Sequence, residues 1–169
     1  LPNIRKHGAY MNEDVINQTL ENPDFLIELA MKLKEEKERK VKRPKLFSQG
    51  KLQNVMNTKY GYSPKETLEC VQQLYLSGYV TYPRTSSEYM ATAEIPKAQE
   101  IINALNKEWN CCLELRNEKS IFDDSKVESH SAITPTNKLP DYETFDIKLK
   151  NTYIEILNRF KAVFYRDDY

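Results

Sequence analysis

The stretch "TYPRT" places Tyr82, Pro83 and Arg84 side by side, a combination suited to phosphoryl transfer. A phenol, with an ordinary pKa of about 10, becomes a better nucleophile beside a cation. A guanidinium two residues on can hold a phosphate through two N–H donors and stabilise charge as it develops. Pro83 has no N–H to donate to a ladder, so a strand reaching Tyr82 is expected to end there. In extended backbone Tyr82 and Arg84 would point to one face. A tyrosine at such a place is ordinarily a core or surface aromatic; only Pro83 and Arg84 set this one apart. Thr85, Ser86 and Ser87 add hydroxyls able to bond phosphate or to cap the next segment.

His130, in "SHSAITPT", is the second candidate. Protonated it could bind phosphate; neutral it could relay a proton. Ser129, Ser131, Thr134 and Thr136 surround it with donors, and Pro135 favours an extended loop. A histidine in a polar loop is, by itself, more often a structural or surface residue. The chain has no GxxxxGK[ST] and no GxSxG, so neither a phosphate-cradling glycine loop nor a nucleophile elbow is present. Cys70, Cys111 and Cys112 are odd in number, form no CxxC, and lie far in sequence from a usable pair of histidines. That excludes a disulfide framework and a zinc pattern, and it implies reduced thiols in a cytoplasmic protein. Asp123-Asp124 reads as loop surface rather than as a metal site.

These segments need a scaffold, and the composition points to a helical one. With 169 residues, 40 % apolar and 30 % charged, the chain can form one soluble domain with a real core. Only four glycines among many Leu, Lys and Glu favour helix. No apolar run approaches the roughly 18 residues of a membrane span, so no membrane partner is expected, and no signal peptide is visible. The chain begins at Leu1 without an initiator Met and is expected to be a piece of something longer. Net charge is zero, but Lys32 to Lys45 holds eight basic residues against three acidic ones. Such a run is first a solvated face and only second a phosphate contact.

Asn22-Pro23 opens a helix expected to run to about Lys34, followed by a short extended piece over Lys40 to Phe47, because Arg43 precedes a proline. Ser48 caps a second helix carrying Leu52, Val55, Met56 and Tyr60, stopped by Gly61. Ser63, Pro64 and Glu66 form a capping-box start for a third, with Leu68, Val71 and Tyr75 on one face and Gly78 at its left-handed end. A strand "YVTYP" comes next. A fourth helix is expected from Ile95 to Cys112, a polar loop from Leu115 to Tyr142, and a last helix from about Asp146 with Leu149, Tyr153, Ile156, Leu157, Phe160 and Phe164 facing a core. Arg166 to Tyr169 reads as a tail. The expected fold is mainly α with a few short strands, an orthogonal helical domain containing a helix-turn-helix or winged-helix-like unit.

In this setting the motifs resemble a known family. Pro44 to Phe47, Leu52-Gln53, Gly61 to Leu68 and Tyr82 to Ser87 together resemble the segment leading to the active-site tyrosine of type IA DNA topoisomerases, and more closely the topoisomerase III branch. "HSAITPT" resembles the family's "H-x-A-I-x-P-T", and "YIEILNRFKAVFY" resembles its closing helix. The likeness runs in one order from about residue 44 to the end. It departs at Ser86, where the family usually has Asp.

The resemblance implies that Tyr82 attacks a phosphodiester of single-stranded DNA, leaving a 5′-phosphotyrosine and a free 3′-OH. It implies that Arg84 positions the phosphate or the tyrosine and that His130 contacts DNA near the break; the hydroxyls of Thr85, Ser87 and Thr136 are expected to contact DNA as well. Residues 44–169 would be the active-site tyrosine domain and residues 1–43 a stub of the neighbouring gate domain or a linker. Mg²⁺ would be held by a toprim domain whose acidic residues are absent from this chain, so the chain alone would lack normal activity. Its partners would be single-stranded DNA and the toprim and gate domains of the same polypeptide. Two other classes fit parts of the sequence: a winged-helix module binding duplex through Pro64 to Gly78, and a protein-interaction domain in which Tyr82 has no chemical role.

Overall fold

The structure is a computed structural model and describes residues 4–6, 9–11, 22–38 and 42–166. The chain divides into two compact units, Leu1–Lys42 and Arg43–Tyr169. In the first, strands β1 (Ile4–Lys6) and β2 (Ala9–Met11) pair antiparallel with Ile4 opposite Met11. Helix α1 (Pro23–Glu38) comes after them. The Asn22 carboxamide oxygen accepts from the N–H groups of Asp24 (3.0 Å) and Phe25 (3.4 Å), which fixes its start. It runs one turn beyond the expected end at Lys34, through Glu35 to Glu38, all good helix formers. Residues 39–41 of the basic run and 167–169 of the expected tail lie outside the described residues.

The second unit holds α2 (Gln49–Tyr60), α3 (Pro64–Leu76), α4 (Ile95–Trp109) and α5 (Ile147–Phe164). Their ends are written in local chemistry. Ser48 accepts from Lys51 N–H at 3.3 Å and Gly61, at φ 71°, closes α2. Ser63 and Glu66 form the reciprocal capping box of α3. Its far end is a Schellman turn: Tyr79 N–H bonds Leu74 O (3.0 Å), Gly78 N–H bonds Tyr75 O (2.9 Å), and Gly78 sits at φ 82°. Asp146 accepts from Leu149 N–H at 3.0 Å to start α5. Helix α4 stops at Trp109, short of the expected Cys112, because Asn110 takes the left-handed conformation at φ 52°.

Helix α5 runs through the core. Tyr153, Ile156, Phe160, Val163 and Phe164 are each no more than 1 % exposed. Helix α3 packs against both α2 and α5, while α4 contributes Ala98, Ile101, Ile102 and Leu105 to the same core. Around these helices the rest of the second unit is connector, with single 3-10 turns at Thr92–Glu94, Asp124–Lys126 and Tyr142–Thr144. Among its described residues there is no strand, only isolated bridges between Phe47 and Ile133, Val80 and Pro135, Met90 and Phe122, and Leu113 and Tyr165. The expected strand over Tyr79 to Pro83 is therefore corrected to one bridged residue. On one side Pro83 has no N–H for the next ladder bond and the chain bends there, and on the other the segment emerges from the Gly78 turn, so the ladder extends neither way. Helices α2 and α3 follow one another through a short turn, and α3 leads into this bridge and not into a paired wing.

Candidate active site

Three connectors cross at one place: residues 46–49 before α2, the "YVTYPRTSSEYM" stretch after α3, and residues 130–136. Phe47 O accepts from Ile133 N–H (2.8 Å), and Thr85 O accepts from Gln49 N–H (2.9 Å) at the first residue of α2. Thr81 N–H bonds Thr134 O (3.0 Å), Thr136 N–H bonds Tyr79 O (3.0 Å), and Ala132 N–H bonds Tyr89 O (2.9 Å). Pro135 lies opposite Val80, at the wide pair of this short ladder, where its missing N–H leaves nothing unpaired. Ser131 donates to the Glu94 carboxylate, which also accepts from Ala91 N–H and so ties the histidine segment to the entry of α4.

Tyr82 stands at this crossing, half-buried. Its ring lies 4.3 Å from the His130 ring, centroid to centroid, with the planes inclined 38°. From the other side Tyr75 of α3 meets it edge-on at 5.4 Å. His130 is exposed, so the pair is open to solvent. Arg84 is exposed and makes no ion pair or hydrogen bond with the described residues. Thr85 N–H bonds Pro83 O at 3.0 Å, closing a three-residue turn centred on Arg84, whose φ is negative. This corrects the expectation that Tyr82 and Arg84 share a face as in a straight strand. The backbone turns at Pro83 between them and leaves the Arg84 cation exposed.

The hydroxyls behind Arg84 face inward. Thr85, 7 % exposed, donates to His130 O at 3.0 Å. Ser87, also 7 % exposed, donates to Lys126 O at 2.8 Å. Thr136 donates to Gly78 O at 2.6 Å. A hydroxyl has one hydrogen to give, and in all three it goes to a backbone carbonyl. Ser86, where the family's Asp would stand, is exposed.

The other two tyrosines of the stretch sit elsewhere. Tyr79 packs on Phe145 at 5.8 Å under the Lys138 ammonium at 5.0 Å. Tyr89 lies 5.0 Å beneath Lys45, and bonding to its hydroxyl pushes the Lys45 ammonium above its usual range. Two residues that the sequence does not single out belong to the site, Tyr75 and Thr81. Helical spacing puts Tyr75 on a core face, and Thr81 has the look of strand filling; the one available signal is a Thr on each side of Tyr-Pro-Arg.

Asp123 and Asp124 are occupied locally. Asp123 accepts from Ser125 (2.6 Å) and Asp124 from Thr92 (2.7 Å), and each bond holds its carboxyl below the usual range. Among the described residues no three His, Cys, Asp or Glu side chains converge as metal ligands, so the residues present do not fit a magnesium site. A surface cavity of about 590 Å³ is lined by Glu108, Trp109, Asp141, Tyr142 and Glu143 among others. It includes none of the candidate residues, and its carboxylates would repel phosphate. Among the described residues, no helix is long and apolar enough to cross a membrane.

A family model described as DNA topoisomerase matches residues 5–168. The chain is 33 % identical over 146 residues to DNA topoisomerase 3 of Bacillus thuringiensis (strain Al Hakam), covering 78 % of this chain and 19 % of that protein. It is 28 % identical over 166 residues to DNA topoisomerase 3 of Bacillus subtilis (strain 168), covering 94 % and 23 %. With the protein of the same name from Shouchella clausii (strain KSM-K16) the figures are 33 % over 131 residues, 72 % and 18 %. The chain thus spans about a fifth of the length of the curated relatives it matches. A match along nearly the whole chain, joined to a tyrosine, an arginine turn and a histidine gathered at one crossing, makes this chain a member of the type IA DNA topoisomerase family, of the topoisomerase III kind.

Proposed function

We propose that this chain carries the nucleophile of a type IA topoisomerase and that Tyr82 is that nucleophile. The phenol oxygen attacks a phosphodiester of single-stranded DNA. A bond from Tyr82 Oη to phosphorus forms, the P–O3′ bond breaks, and the phenol proton passes to the departing 3′-oxygen. The product is a 5′-phosphotyrosine with a free 3′-OH, and the reverse attack reseals the strand after passage of another. The observation that carries this reading is the Tyr82–His130 ring contact at 4.3 Å, two residues from an exposed Arg84 that has no competing partner among the described residues.

In this reading Arg84 grips the phosphate from the rim, and His130 meets the DNA and moves the proton. Thr85, Ser87 and Thr136 serve the same site from behind by holding its loops. Residues 44–169 form the active-site tyrosine domain, and residues 1–43 belong with the neighbouring gate. Magnesium is held by a toprim domain elsewhere in the full enzyme, which works on DNA in the cytoplasm. The 169-residue chain alone then binds single strands weakly and neither cleaves nor relaxes DNA at a normal rate.

The test uses end-labelled oligonucleotides. In the full enzyme, Tyr82→Phe should abolish the detergent-resistant protein–DNA adduct while retaining single-strand binding. An adduct that persists would move the nucleophile to another residue. If the chain instead preferred duplex, through α3 and unaffected by Arg84→Ala, the site would be a helix-turn-helix binding module.

A further inference from the structure

Two threonines bracket the Tyr82–Pro83–Arg84 turn, and both hydroxyls reach across to the histidine segment. Thr81 Oγ1 donates to Ala132 O (3.3 Å) and accepts from Thr134 N–H (2.9 Å). Thr85 Oγ1 donates to His130 O (3.0 Å) and accepts from Ser87 N–H (3.2 Å). The antiparallel register that sets Val80 opposite Pro135 also sets Thr81 opposite Thr134 and Thr85 opposite His130. Beyond Thr81 the backbone ladder lapses. Pro83 has no N–H, and among the described residues neither Tyr82 nor Arg84 donates a backbone hydrogen bond to the histidine segment. Across the reactive turn, the two side-chain hydroxyls stand where ladder bonds would be.

We propose that Thr81 and Thr85 are positioning residues, a pair of hydroxyl clips that hold His130 against Tyr82 before DNA arrives. The catalytic part rests on the reading of Tyr82 as nucleophile; the clip itself is a property of the free chain. Neither threonine needs to touch DNA, because each has already given its only hydroxyl hydrogen to a carbonyl. The pair matters because catalysis is steep in geometry: a displacement of about 1 Å can cost about 10²-fold in rate. Valine copies the shape of threonine without the hydroxyl, so it leaves the Ala132 and His130 carbonyls without these donors. Serine keeps the donor and loses only a methyl.

Two measurements test this. In the free 169-residue chain, nuclear Overhauser contacts between the Tyr82 and His130 rings should appear in the wild type and in Thr81→Ser/Thr85→Ser, and should be lost in Thr81→Val/Thr85→Val. Absence of the contact in the wild type overturns the clip, as does its persistence in the valine pair. Should the valine pair not fold, Thr81→Val and Thr85→Val taken singly make the same comparison. In the full enzyme at saturating single-stranded DNA, the valine pair should slow single-turnover cleavage by about 10²-fold with unchanged Kd, and the serine pair should restore the rate. Unchanged cleavage in the valine pair overturns the positioning role and leaves Tyr82 as nucleophile untouched. An adduct that survives Tyr82→Phe sinks the nucleophile reading and with it the catalytic role, and the ring contact alone then decides the clip.

Discussion

The imidazole of His130 lies against the phenol of Tyr82 at 4.3 Å, and Tyr75 closes the opposite side of the same phenol edge-on at 5.4 Å. The tyrosine is therefore held between a helix and a loop, with little freedom to swing. A nucleophile fixed before the substrate arrives has less orientation to lose on reaching the transition state. His130→Ala removes one wall and, in the proposed function, the proton carrier with it. Single-turnover cleavage in the full enzyme is expected to fall by about 10²-fold; an unchanged rate would reduce the contact to packing.

Arg84 is exposed and has no partner among the described residues, so a phosphate meets no competing carboxylate from them. Arg84→Ala should weaken single-strand binding and lower the slope of log K against log salt by about 0.7, the share of one phosphate contact on a single strand. Arg84→Lys should keep that slope, because charge is conserved, but cleave more slowly, because the two-pronged grip is lost. Titrations of a labelled oligonucleotide at several salt concentrations separate the two.

Much of the frame is legible in the sequence because its signals are local. Ser48, Ser63 and Asp146 cap helices through bonds spanning three residues, and the apolar spacing of α5 gives its buried face directly. The illegible parts depend on the far chain. The strand over Tyr79 to Pro83 shrinks to one bridged residue because the far segment pairs with it only at Val80 before the chain bends at Pro83, and no local pattern says where that partner lies. The end of α4 is set by one residue, Asn110, whose left-handed turn competes with good helix formers before it. Tyr82 and His130 each stand out by residue type. Their contact, and the inward turn of Thr85 and Ser87, arise only from the crossing of the connectors.

Gly78 lets α3 deliver the chain into the site. A Cβ there would meet Lys138 Cδ at 3.5 Å, an ordinary contact, so space is not the constraint; the φ of 82° is. Gly78→Ala should cost about 1–2 kcal/mol through the left-handed backbone alone. Because Gly78 O also receives the Thr136 hydroxyl, the change should disturb the histidine segment as well. Denaturant unfolding followed by near-ultraviolet dichroism measures the first effect, and amide shifts of residues 130–136 the second.

The start of α3 carries a pH signature. Lys148, hydrogen-bonded to Glu66 at 2.7 Å, and then the Ser63 N–H lower the Glu66 carboxyl from 4.5 to about 2. Its folded pKa is below its unfolded value, so the stabilisation is complete above about pH 4.5 and is lost as pH falls through about 2. Wild type should therefore exceed Glu66→Gln in stability near neutral pH, with the gap closing on acidification across that window. Both side chains are partly exposed, so added salt should shrink the gap. A gap independent of pH would mean that the carboxylate charge plays no part.

Tyr153 is fully buried in α5, between the rings of Trp109, Tyr142 and Phe145, yet among the described residues its hydroxyl has no hydrogen-bond partner. Burial pushes this phenol above its ordinary range, so it stays neutral at any working pH. A buried hydroxyl without a partner forfeits its bond to water and gains nothing in return. Tyr153→Phe keeps every ring contact and removes only that oxygen. Where Tyr→Phe in a core usually destabilises, here it should raise unfolding stability by about 1 kcal/mol. Because Tyr153 does not contact Tyr82 or His130, cleavage in the full enzyme should be unaffected. A loss of stability on this substitution would mean that the hydroxyl makes a hydrogen bond in the folded protein.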